Sequence, residues 1–392
     1  MSVSSLFLAH SSRDADEVHL LAEELRIRGV APWVDKQGGF GLGDHSEDEA
    51  RRAIRELCWG LLLYATTNVF DSDFVRRVEI DEAKRRKRKD PRFSLVAVPR
   101  GLGFSELGEL TLEKFGQNLA EYHSVGISDD DIQGSICRVA REVLKRRVTA
   151  PLGLQMTKLS LQMSSRDLMP DENDDLLRVD VTRLLRDHPW RSVAWSRLRA
   201  GLSDVKDAIA QVYGRPVMRV HGSKHLTTAF IAGQVFSQFD LEVRQTKDEY
   251  WQCQPLINPA CDRFEVAFTK DTDGDGSATV EVRSGQKNVG AAVAQHLVAS
   301  GVRPSLRISV APAGDLGERL DNTSCLELAA RSAFAVEEGL QLLQQPATAL
   351  HIYAAMPQAA MMMVGKALTG MPPVVLHEWT GVEYCVSFDG RL

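Results

Sequence analysis

A chain of 392 residues is too long for one ordinary hydrophobic core and suits two or three domains. Its 44% hydrophobic and 26% charged content is that of a soluble folded protein, and its net charge of −6 offers no general attraction to long nucleic acid. No apolar run reaches membrane-span length, Met1 to Ser5 leads into a strand without a signal peptide, and the six cysteines form no CxxC pair; a cytoplasmic protein without disulfides or a metal site is expected.

The amino-terminal third alternates strand and helix at short spacing. Leu6 to Ala9 reads as a strand, His10 to Asp14 as a turn and cap, and Ala15 to Arg28 as an amphipathic helix that Gly29 stops. A second strand, Val30 to Val34, ends in Asp35 and the glycine-rich loop through Asp44. Helix Ser46 to Leu57 follows, then the apolar strand from Trp59 to Tyr64, a helix Phe74 to Ala83, and strand Phe93 to Val98. Asn118 to Tyr122 is expected as a fifth strand, and helix Asp129 to Arg147 closes the unit. The pattern predicts a flavodoxin-like α/β domain, whose sites lie beyond the carboxyl ends of the strands. His10, Ser11, Asp35, Thr66 and the helix bearing Glu79 are therefore expected to converge. The run Lys84 to Lys89 falls where a helix ends, and there cations complement the helix dipole.

Phe7 to Asp14, the Asp35–Asp44 loop, Ala53-Ile54 and Phe74-Val75 through Glu79-Ile80, in this order and spacing, resemble a TIR domain over about residues 4–147. The resemblance implies an NAD⁺ glycohydrolase whose carboxylate is Glu79, with Glu82 in reserve because Val78 is extra in the aromatic-Val-x-x-Glu spacing. It further implies NAD⁺ as substrate, held by His10, Ser11, Trp33, Asp35, Phe40, Thr66 and Phe74, with Trp33 or Phe40 as a stacking aromatic. One carboxylate suffices chemically, because the nicotinamide is already cationic and leaves without protonation.

A Pro/Gly break after Lys145–Arg147 sets the expected boundary, giving a domain over 1–148, a linker over 149–156 and a second domain over 157–392. Within the latter, strand-like Leu159 to Met163 and Val179 to Thr182 precede a helix around Ser196 to Val212. An internal repeat follows. Val217 to His225 leads into an apolar helix with Gly233, and Ala349 to Pro357 leads into one with Gly365. Each continues into a strand and then a Glu-Tyr step, Glu249-Tyr250 or Glu383-Tyr384. Two Rossmann-like halves, about 157–283 and 284–392, are expected to face each other across a cleft. Between the copies, Ser284-Gly285-Gln286-Lys287 opens a helix with amides, a hydroxyl and a cation suited to a phosphate. Asp271 to Gly276 imitates an EF-hand start but has Val282 at position twelve, and is read as a hairpin turn.

The Arg283–Asn288 turn, the His351–Gly365 unit and Leu376-His377-Glu378-Trp379 with Glu383-Tyr384 are similar to a SAVED domain, two fused CARF-like units that sense cyclic oligonucleotides in bacterial antiphage signalling. This implies a cyclic tri- or tetra-nucleotide activator, expected to be cyclic tri-adenylate. Its ligands would be His221, Lys224, Ser284, Gly285, Lys287, Met356, Pro357, Glu378 and Trp379. TIR–SAVED fusions are effectors of cyclic-oligonucleotide-based (CBASS) defence. The resemblance implies a homo-oligomeric filament on ligand binding, which switches on NAD⁺ cleavage. Glycines 38, 39 and 41 suit a loop that completes a neighbour's pocket in a head-to-tail assembly. A non-catalytic TIR scaffold and a carboxy-terminal half that cuts its own ligand are the competing readings.

Overall fold

The computed structural model describes residues 4–34, 46–122, 125–150, 157–166, 176–186, 192–245, 249–253, 263–285, 289–314 and 320–391. They divide into two compact units. The first is Met1–Gln162 with Pro170–Val181 and Asp207–Gly214; the second is Met163–Met169 and Thr182–Lys206 with Arg215–Leu392. The division differs from the expected 1–148, 149–156 and 157–392 because two later segments belong to the first unit. Arg147 Nε donates to the Leu176 carbonyl at 3.0 Å, Arg178 N to Gly29 at 2.7 Å, and Tyr213 Oη to Val148 at 2.9 Å. Residues 151–156 of the expected linker lie outside the described residues.

In the first unit, strands β1 (Ser5–Ala9), β2 (Ala31–Trp33), β3 (Cys58–Ala65) and β4 (Ser94–Pro99) form a parallel sheet of order β2-β1-β3-β4. All eight residues of β3 are buried, as its continuous apolar run requires of a central parallel strand. The order reverses between β1 and β3, which places a topological switch point at their carboxyl ends. Residues 119–122 are a 3₁₀ turn, not a fifth strand. Thr111 Oγ1 takes the Leu119 amide at 3.0 Å and Asn118 Oδ1 takes that of Ala120 at 2.9 Å, so those donors are lost to a sheet ladder. The basic run forms the last turns of helix Asp81–Lys89; Lys84 donates to the Phe115 carbonyl and Lys87 to those of Pro91 and Phe93, so both serve the fold.

Next come β5 (Lys158–Ser164), β6 (Leu177–Asp180), β7 (Val217–His221), β8 (Leu241–Arg244), β9 (Tyr250–Gln252), β10 (Phe264–Lys270), β11 (Ala278–Arg283), β12 (Leu306–Pro312), β13 (Leu350–Ala355), β14 (Val374–Trp379) and β15 (Tyr384–Asp389). In the second unit β10 to β15 form a sheet of order β10-β12-β11-β13-β14-β15, parallel in its centre and antiparallel at both edges. That sheet begins at Phe264, upstream of the expected division between halves at 283/284. Residues 271–276 do not close a hairpin, because β12 lies between β10 and β11. Their turn wraps the start of β12 instead: Asp275 accepts from Arg303 N at 3.1 Å, and Gly276 N donates to Ser305 Oγ at 2.8 Å.

The internal repeat is real in three dimensions. In the first copy β7 pairs parallel with β8 and β8 antiparallel with β9; in the second β13 pairs parallel with β14 and β14 antiparallel with β15. The connecting helices, Leu226–Val235 and Gln358–Ala367, are displaced by a constant 132 positions (358 less 226, and 367 less 235). They pack on each other through Gly233 and Gly365, where an added Cβ would strike the backbone of the opposite helix. An apolar all-round sequence, unsuited to a surface helix, is what this buried crossing demands.

Candidate ligand cleft and amino-terminal rim

A cleft of about 870 Å³ opens in the second unit where β11, β13 and β14 end. The chain leaves β11 at Ser284 and Gly285, β13 at Met356 and Pro357, and β14 at Trp379, so the parallel register of these strands carries all five residues to one rim. Ser284 is fixed there, its amide donating to the Ala355 carbonyl at 3.0 Å and its hydroxyl to the same oxygen at 3.2 Å. Two helices begin at the cleft, Gly290–Ser300 and Gln358–Ala367, behind the caps Val289 and Pro357. Neither cap supplies a side-chain acceptor, and the positive ends of both helices lie at the cleft, where they favour an anion.

The pseudo-equivalent start of helix Leu226–Val235 is different. Glu378, 3% exposed, accepts from Leu226 N at 3.1 Å and from Thr227 Oγ1 at 2.9 Å, with Arg166 at 3.5 Å. A carboxylate from β14 thus caps a helix of the other repeat. Trp379 is 45% exposed and meets Tyr384 edge-on at 5.2 Å, which leaves an indole face for a planar group. Behind Tyr384 lies a buried aromatic layer. Tyr353 stacks on His377 at 4.2 Å, His377 Nε2 is 3.0 Å from His351 Nδ1, and His296 packs over His377 at 5.0 Å. Burial lowers the pKa of all three histidines, that of His377 to about 2, and raises that of Tyr384 to about 12.

The cleft brings together Ser284, Gly285, Met356, Pro357, Glu378 and Trp379 of the expected ligand residues. His221 and Lys224 are 2% and 1% exposed and do not line it. Lys287 lies outside the described residues. Sequence reasoning missed Arg166, which arrives from a segment more than a hundred residues upstream. It also missed Gln358, whose only signal is its place immediately after a proline that starts a helix.

In the first unit His10, Ser11 and Thr66 meet at the carboxyl rim of the sheet. His10 Nδ1 is 3.0 Å from the Leu8 carbonyl, and Ser11 Oγ accepts from Arg13 N at 3.3 Å. Asp14, overlooked in the sequence, accepts from Thr66 Oγ1 at 2.6 Å and Asn68 Nδ2 at 2.7 Å. Beside it Glu17 accepts from Tyr64 and from Arg100 Nε at 2.9 Å, and the arginine lowers its pKa. Trp33 stacks on Phe7 at 4.6 Å and Phe74 packs on the core, so both serve packing here. Asp35 and Phe40 lie outside the described residues.

Glu79 is 7% exposed within a π-helical turn, Val75–Ile80. Such a turn takes up one residue more than an α-helical one. Glu82, one turn on, faces three guanidinium groups: Arg55 at 3.3 Å, Arg85 at 3.5 Å and Arg51 at 3.7 Å. No group of three or more His, Cys, Asp or Glu among the described residues is placed to hold a metal, and no described helix is long and apolar enough to cross a membrane.

No curated protein matches the chain. Two solved structures of an Acinetobacter baumannii Cap4 SAVED/CARF-domain containing receptor, one with the cyclic trinucleotide 3′3′3′-cAAA and one with 2′3′3′-cAAA, align over 96% of this chain and 98% of theirs. Each does so at a TM-score of 0.50 and 13% identity, a likeness of fold. Residues 202–389 match the family model SAVED, the SMODS-associated and fused to various effectors sensor domain. Of the residues that line the cleft, all but Arg166 fall within residues 202–389, the part of this chain that forms a SAVED domain.

Proposed function

We propose that this protein senses a cyclic oligonucleotide, with cyclic tri-adenylate as the activator, and acts as an effector in antiphage defence. The observation that carries the reading is the 870 Å³ cleft, which combines two helix starts, the Ser284-Gly285 turn and an exposed indole. Phosphates suit the helix ends and an adenine suits Trp379. The cyclic trinucleotides in the Cap4 receptor structures support the same ligand class.

The first unit is, on this reading, a flavodoxin-like TIR domain that cleaves NAD⁺ to nicotinamide and ADP-ribose when ligand-loaded protomers stack head to tail. The strand order β2-β1-β3-β4 supports it. Glu79 is the preferred carboxylate, because it is the one that the TIR resemblance places after Phe74-Val75; the carboxylate of Glu82 meets three arginines. Glu79 would stabilise the cation that develops on the ribose as nicotinamide leaves. Its burial favours a second reading, a scaffold that assembles without hydrolysis.

Full-length protein incubated with NAD⁺, with and without cyclic tri-adenylate, separates these readings. Ligand-dependent release of nicotinamide is expected. Ligand binding with no nicotinamide released selects the scaffold, and failure to bind any cyclic di-, tri- or tetra-adenylate overturns the sensor.

A further inference from the structure

Lys224 sits in the turn between β7 and helix Leu226–Val235 with 1% of its surface exposed. Its ammonium donates to the Gly222 carbonyl at 2.7 Å. Among the described residues no carboxylate acts on it, and burial alone pulls its pKa down to about 8. An ammonium has three donors and is strongly hydrated, so burying it against one neutral acceptor is costly. Packing does not call for the charge. The residue 132 positions on, in the same turn of the other repeat, is Met356, an apolar chain of similar length.

The turn that holds Lys224 is tied to the cleft. Gly222 has φ of 102°, and its missing Cβ leaves room for the Met163 backbone, which fixes the turn on one side. On the other, Gln358 clasps the Lys224 backbone, its Oε1 accepting from Lys224 N at 3.3 Å and its Nε2 donating to the Lys224 carbonyl at 2.5 Å. Gln358 itself lines the cleft and is the first residue of a helix whose cap offers no side-chain acceptor. A phosphate arriving at that helix end would compete for the Gln358 amide.

We propose that Lys224 is a stored phosphate-binding cation: ligand phosphate draws Gln358 off the Lys224 turn, and the ammonium exchanges the Gly222 carbonyl for a phosphate oxygen. No covalent bond changes. The unfavourable burial in the free protein is relieved only in the complex, so the ligand binds the opened turn more tightly than the closed one. This inference rests on the cyclic-oligonucleotide reading of the cleft.

The test compares full-length wild type with Lys224→Met and Lys224→Arg, in thermal melting without ligand and in calorimetric titration with cyclic tri-adenylate at several salt concentrations. Lys224→Met is expected to melt at a higher temperature than wild type, yet to bind at least ~10-fold more weakly and with a shallower salt dependence. Lys224→Arg should recover part of the affinity. A Lys224→Met protein that melts lower or fails to fold would make the lysine structural and overturn the proposal, as would affinity within twofold of wild type. Those results leave the sensor reading standing. A wild type that binds no cyclic oligoadenylate overturns both.

Discussion

Gly233 and Gly365 occupy equivalent positions in the two repeats, and each lies against the backbone of the other's helix. A Cβ on Gly233 would meet Lys366 N at 2.9 Å and strike the Met362 carbonyl; one on Gly365 would meet Phe230 Cα at 2.9 Å and strike the Phe230 carbonyl. Real Cβ atoms do not approach within 3.0 Å. The reciprocity is that of a two-fold axis through one chain, and it brings the repeat's two helices close enough for their amino termini to share one cleft.

Gly233→Ala should therefore push the helices apart, at a cost of about 1–3 kcal/mol or more. Gly285→Ala, which meets nothing within 4 Å, is the control. Urea unfolding should show a lower midpoint for the first and an unchanged one for the second. Equal midpoints would contradict the close crossing.

Trp379 is 45% exposed and meets Tyr384 edge-on. Trp379→Ala should leave melting almost unchanged while weakening binding of cyclic tri-adenylate by about 1–3 kcal/mol, the worth of one stacked base. Calorimetry on the two proteins checks it. Unaltered affinity would remove the indole from the site.

Glu79→Gln and Glu82→Gln should separate chemistry from stability. On the proposed reading, the first loses NAD⁺ cleavage by ~10²–10³-fold and keeps ligand binding. The second breaks contacts to three arginines whose side chains are 23%, 51% and 56% exposed, so about 1–2 kcal/mol of stability is expected to go, with activity retained. Nicotinamide release and denaturant midpoints measured on both variants give the answer, and activity lost at Glu82 alone would reverse the assignment.

The histidine layer sets a pH dependence. His296, His351 and His377 all have pKa values lowered by burial, so the unfolded chain takes up protons that the folded one refuses. Stability is then full above the ordinary histidine range, near pH 6.5, and falls as pH drops below it. For His377, 6% exposed and held down to about 2, the slope is about 1.4 kcal/mol per pH unit. Unfolding midpoints at pH 7.5 and 5.5 should show the loss, and His377→Phe should flatten it. A flat wild-type profile over that window would mean the histidines are hydrated.

Much of the architecture was legible in one dimension. The strand from Trp59 to Tyr64 is continuously apolar because a central parallel strand is covered on both faces, and the two glycines recur at one offset because a close helix crossing leaves no room for a side chain. Strand-end turns such as Ser284-Gly285 and Met356-Pro357 were visible as breaks in hydrophobic runs. Local pattern says where a segment turns. It does not say which distant segment supplies its partner. That is why Glu378 and Lys224 read only as ligand contacts, with no sign that the first caps the Leu226 helix or that the turn of the second is clasped by Gln358. Arg166 joins the cleft and β12 inserts between β10 and β11 by the same long-range pairing. Periodicity records burial, which each residue reports for itself. Partnership is a property of two residues far apart in the chain, and only the folded backbone brings them within hydrogen-bonding distance.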